Sequence, residues 1–113
     1  MEMKKFLPLL YISLFLSCAT GNPGQTASYY LVSGITAYNE RNYSRAAEDF
    51  NQSIRVNPNN ANAYIVRGII FFRSGDYDSA IADFETALRL EPSNTDAREA
   101  LNIARAEKLW KDR

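Results

Sequence analysis

The chain has 113 residues, 13 basic and 13 acidic side chains, no histidine and one cysteine. Balanced charge offers neither the cationic surface that nucleic-acid phosphates require nor a polybasic patch for anionic lipid. Without histidine there is no Ser-His-Asp or Cys-His arrangement and no imidazole metal ligand, and a lone cysteine cannot build a disulfide framework.

The first segment carries Lys4 and Lys5, then an apolar run from Phe6 to Ser17 that includes Leu7, Leu9, Leu10, Ile12, Leu14, Phe15 and Leu16. About twelve residues cannot span a bilayer, which needs ~20. A basic start, a short apolar middle and small residues after it predict a secretory signal peptide over residues 1–17. The sole cysteine, Cys18, stands where the run ends. Leu14-Phe15-Leu16-Ser17-Cys18 resembles a bacterial lipoprotein box, with a lipid-bearing Cys18 as the new N-terminus. Ordinary cleavage after Ala19, with Ser17 and Ala19 as the small pair, is the competing reading. Residues 18–26 are polar with Gly and Pro, which suits a flexible tether between lipid and domain. Removal of Glu2, Lys4 and Lys5 leaves the mature chain one unit negative.

From Ala27 the sequence repeats at a spacing of 34 residues: Tyr30 recurs as Tyr64, Gly34 as Gly68, Tyr43 as Tyr77, Ala46 as Ala80, Phe50 as Phe84, Ile54 as Leu88 and Pro58 as Pro92. That period marks stacked helical hairpins, each burying an apolar face against its neighbour. Tyr64, Gly68, Phe71 and Phe72 predict a helix from Ala61 to about Arg73. Gly75 supplies its stop and Asp76 the N-cap of a second helix, whose apolar face is Ala80, Ile81, Phe84, Ala87 and Leu88. Pro92 ends it. Gly34, Gly68, Ala46 and Ala80 let paired helices approach, with Phe50 and Phe84 filling the wedge. Thr95 to Lys111 predicts a single further helix with Ala97, Ala100, Leu101, Ala104 and Trp110 along one face.

The run from Ser74 to Asn94, with Tyr64, Gly68, Phe71, Ala80, Phe84, Ala87 and Pro92, resembles the tetratricopeptide repeat (TPR) family. The first unit matches through Tyr30, Gly34, Ala46, Phe50 and Pro58. It departs at Ala37 and Ser53, and the usual Leu of the first helix is Ser33 and Arg67. In the third unit Arg98 and Asn102 replace the aromatic and the Gly. The resemblance implies an all-α fold, a short right-handed solenoid of two hairpins (residues 27–60 and 61–94) with a capping helix (residues 95–113).

The resemblance also implies that the first helix of each hairpin lines a concave groove. The groove would be formed by Leu31, Val32, Ile35, Tyr38, Ile65, Val66, Ile69 and Phe72. The Lys, Asn and Arg with which some members grip a peptide's C-terminal carboxylate are replaced by Leu31, Ile35, Val66, Asp96 and Ala100. An exposed apolar strip of this kind marks an interface, unless the short array curls until the strip becomes its own core. Asp76, Asp78, Glu48, Asp49, Asp83 and Glu85 read as caps and solvated charges, not as catalytic pairs. No enzyme activity, cofactor or metal is expected. The sequence predicts a lipid-anchored scaffold of the bacterial cell envelope that binds a protein partner or itself. The alternative is a subunit of a transport or assembly complex that carries a hydrophobic ligand in the groove.

Overall fold

A computed structural model describes residues 25–113. The expectations for the signal peptide, Cys18 and most of the tether lie outside the described residues. Those residues form five helices, named here α1 (Ala27–Asn39), α2 (Tyr43–Val56), α3 (Ala61–Arg73), α4 (Tyr77–Leu90) and α5 (Thr95–Lys111). The α1/α2 and α3/α4 pairs are hairpins, and α5 packs chiefly on α4.

The turns follow from local chemistry. Between α3 and α4 Gly75 takes a left-handed φ of 82°, and the Asp76 amide donates to the Phe71 carbonyl at 2.9 Å. The Asp76 side chain then accepts from the Ser79 amide, so one residue closes a helix and caps the next. The first hairpin repeats this geometry with Asn42, whose amide donates to the Ala37 carbonyl at 2.8 Å and whose side chain accepts from Arg45. There the left-handed position is Arg41, at φ 61°. After each hairpin a proline turn stops the chain, at Pro58 and at Pro92, and Asn60 and Asn94 cap the helices that follow.

Within each hairpin the glycine-phenylalanine wedge holds the helices together. A Cβ placed on Gly34 would lie 2.9 Å from the Phe50 ring, and one on Gly68 would lie 2.7 Å from the Phe84 ring. Phe50 and Phe84 are the largest fully buried side chains. Around them Ala37, Ala46 and Ile70 form one core, and Ala80, Leu101 and Ala104 another. Small residues at the crossings allow this close approach, and the aromatic fills the space they leave.

Two residues that depart from the repeat pattern, Ser53 and Arg98, are polar and satisfied. The buried Ser53 hydroxyl donates to the Ala27 carbonyl at 2.9 Å. Tyr64 donates to the Pro58 carbonyl at 2.9 Å, and Arg98, one period later, donates to the Pro92 carbonyl at 2.7 Å. Arg98 thus ties down its turn as the aromatic does. Trp110 departs from the expected row: Ala97, Leu101 and Ala104 are buried, whereas Trp110 is 73% exposed. The core-facing row advances by three and four residues from Leu101 through Ala104 to Lys108, and Trp110 falls on another side of the helix.

Candidate functional site: the face of α1, α3 and α5

The first helix of each hairpin and α5 present equivalent positions one period apart. Ile35, Ile69 and Ile103 are one such set, and Val32, Val66 and Ala100 another. The structure divides the eight groove residues by contact. Leu31, Tyr38 and Val66 pack against the Phe50 core, Ile65 against Ala61, Ala87 and Ala97, and Ile69 and Phe72 against the Phe84 core. All six are half-buried, so each still presents part of its surface. Val32 and Ile35 are 63% and 40% exposed, and Ile103 on α5 is 55% exposed.

An apolar dimple of about 170 Å³ opens between α3 and α5, lined by Ile69, Phe72, Phe84, Ala100 and Ile103. At the preceding junction Val66 occupies the place that Ala100 has here, and the smaller side chain leaves the space. A cavity of ~150 Å³ with similar walls is large enough for a benzene-sized group.

Charge is distributed unevenly along this face. The α1 part holds no charged side chain at the inward positions Ser28, Leu31, Val32, Ile35, Tyr38 and Asn39. On α3 the cation is Arg73, which lies over the rings of Tyr38 and Tyr43 at 5.5 and 6.0 Å. On α5 stand Asp96, Glu99 and Glu107, all exposed and in none of the ion pairs among the described residues.

A polar clasp lies inside each hairpin, and here the structure corrects the expectation that Asp49 and Asp83 are solvated charges. Asp83 is 5% exposed. It accepts two hydrogen bonds from the Arg67 guanidinium, at 2.8 and 2.7 Å. Arg67 also donates to Asn51 of the first hairpin at 3.0 Å, which joins the two repeats. Hydrogen bonding to Asp83 raises the Arg67 pKa above its ordinary value, against the burial that would lower it. In the first hairpin the Ser33 hydroxyl donates to Asp49 at 2.7 Å. Both pairs sit 16 residues apart at the same repeat positions. The signal was present in the sequence as a polar residue replacing Leu, with an Asp 16 residues later, in both units. These two carboxylates therefore hold hairpins closed.

Geometry of this kind defines a class: helical-hairpin arrays whose inner helices offer a face to other proteins. The sequence profile of the Tetratricopeptide repeat family matches residues 34–105, and the chain belongs to that family. Among solved structures it is similar to the crystal structure of MamA, with a TM-score of 0.73 and 23% identity over 77% of this chain and 51% of that one. It is similar to the TPR domain of Arabidopsis OM64, with a TM-score of 0.71 and 30% identity over 74% of this chain and 69% of that one. The second TPR of Spaghetti (RPAP3), bound to the HSP90 peptide SRMEEVD, has a TM-score of 0.70 and 26% identity over 73% of this chain and 76% of that one. The chain spans about half the length of the MamA structure, and that likeness shows the fold alone. No curated protein matches the sequence.

Proposed function

We propose that the chain is a lipid-anchored TPR adaptor of the bacterial cell envelope that holds an apolar segment of a protein partner on the α1–α3 face. The observation that carries this reading is the exposure of Val32 and Ile35, branched apolar side chains on an inner helix that stand 63% and 40% exposed. Cys18 after the short apolar run 6–17 supplies the anchor. A single acyl chain binds a membrane only marginally, so stable retention needs the several chains of a bacterial lipoprotein.

The peptide SRMEEVD, bound by the RPAP3 repeat, is acidic. The inward positions here carry Leu31, Ile35, Val66 and Ala100 with Asp96, so an acidic peptide meets apolar surface and like charge. SRMEEVD should therefore show no saturable binding. The dimple of about 170 Å³ is smaller than the ~300–1,000 Å³ clefts that enclose small molecules. That size supports a side chain as occupant over a hydrophobic cargo.

The test uses the full chain expressed in a bacterium. Radiolabelled fatty acid should enter the protein and be lost with Cys18→Ala, which should also leave the membrane pellet. From solubilised membranes the tagged protein should retain a discrete partner that Val32→Asp/Ile35→Asp releases. Labelling that persists in Cys18→Ala contradicts the anchor, and a partner indifferent to the α1 substitutions contradicts the docking face.

A further inference from the structure

Trp110 is the only tryptophan of the chain and, at 73%, the most exposed large apolar side chain among the described residues. It lies seven residues after Ile103, and Asp96 lies seven before, so all three share one face of α5 with Glu99, Ala106 and Glu107. This face meets the dimple at Ala100 and Ile103. One helix thus carries an apolar hollow near its middle and a bulky exposed ring two turns further on. Asp96, Glu99 and Glu107 on this face are in none of the ion pairs among the described residues. Lys111 and Arg113 flank the ring; Lys111 is held only loosely, by the Gly75 carbonyl at 3.3 Å and over the Tyr77 ring.

We propose that this face binds a second copy of the chain, with the two α5 helices antiparallel and Trp110 of each seated in the dimple of the other. The pattern is self-complementary. Laid antiparallel about a point near Arg105, α5 sets Trp110 opposite Ala100, a large side chain against a small one. The same superposition brings Lys111 over Glu99 of the copy and Arg113 level with Ala97, one residue from Asp96. Arg105 points away from the contact, toward Glu85 of its own chain at 2.9 Å. Each surface meets its own equivalent, so the contact closes as a two-fold dimer and does not propagate. Ala100 in place of Val66 is the feature that makes room for the ring. Trp is the residue type most enriched among side chains that dominate interfaces, and it does so when seated in a desolvated pocket. Val32 and Ile35 on α1 stay outside this contact and remain available to the partner of the proposed function, on whose face the inference builds.

The experiment is sedimentation velocity together with Trp110 fluorescence over a concentration series. It uses the chain from residue 18 onward with Cys18→Ser, so that no detergent is needed and no disulfide forms. The expected result is a monomer that becomes a dimer as concentration rises, with emission shifting to the blue in parallel. Trp110→Ala should weaken dimerisation roughly thirtyfold or more, the scale of an aromatic hot spot, with unchanged helicity. Ala100→Leu should fill the dimple and act likewise. Asp96→Lys/Glu99→Lys, on exposed positions that do not contribute to the core, should give the same loss and guards against a folding defect in Ala100→Leu. A monomer with red-shifted emission at every concentration overturns the inference and leaves partner docking on Val32 and Ile35 standing. A dimer unaffected by Trp110→Ala also overturns it, because the second copy then sits elsewhere.

Discussion

The two hairpins share a wedge and differ in the clasp, the left-handed turn residue and the exposed inner face placed around it. Gly34 against Phe50 and Gly68 against Phe84 are the same device one period apart. Inside that frame the first hairpin closes its polar clasp with Ser33 and Asp49, the second with Arg67 and Asp83. The first turns through Arg41 in a left-handed conformation, the second through Gly75. The first leaves Val32 exposed, whereas in the second the equivalent Val66 packs on the neighbouring core. The difference teaches that the wedge sets the fold, while the clasp and the inner face are free to vary. The second hairpin, packed between α2 and α5, is built for stability. The first, whose α1 is the first of the described helices, carries the more exposed inner residues, Val32 and Ile35.

The largest expected effects break what the hairpins share. Phe84→Ala should cost about 3–5 kcal/mol as a buried aromatic truncation, and Phe50→Ala a similar amount. Gly68→Leu should be comparably severe, because even a Cβ would lie 2.7 Å from the Phe84 ring. For a domain of this size such losses lower the thermal midpoint by more than ~12 °C, readable by circular dichroism. A midpoint unmoved by all three would contradict the wedge.

Next come the clasps. Arg67→Ala leaves the buried Asp83 carboxylate without its bidentate partner and removes the link to Asn51. Breaking a buried pair costs about 3–5 kcal/mol, and because Arg67 keeps some solvent contact the expectation here is about 2–4 kcal/mol. Arg67→Leu/Asp83→Leu should recover most of that loss, since apolar residues of similar size replace a buried pair with little penalty. Ser33→Ala removes one hydrogen bond and should cost about 1 kcal/mol. Equal losses at Arg67 and Ser33 in urea titrations would erase the contrast between the two hairpins.

The smallest effects lie in the turns. Arg41→Gly should stabilise by about 0.5–1 kcal/mol, because a side chain in the left-handed region carries a steric cost that glycine lacks. Gly75→Ala should destabilise by a similar amount. Opposite signs for the two substitutions are the expected readout.

Much of this architecture was legible in the sequence. The 34-residue period, the Gly and Phe of the wedge, the Asp76 cap and the proline stops each rest on short-range chemistry that one residue type satisfies best. What stayed hidden depended on tertiary partners. Asp83 reads as a surface acid until Arg67, 16 residues away, is brought across the hairpin. The left-handed turn at Arg41 has no glycine to announce it. Trp110 belongs by composition to a core, and only the placement of α5 on α4 turns it outward. The inner face was partly legible: its residues could be named, but which of them rest on the core and which stand in water depends on how far each helix tilts toward the next.

The central claim is that the inner face of α1 is open for docking. The most direct test is photo-cross-linking of the full chain in membranes, with the photoreactive residue at Val32 or, in parallel, at Arg55, which is exposed on α2. A discrete cross-linked protein from Val32 and none from Arg55 is the predicted result. The same products from both positions, or none from Val32, would contradict the account.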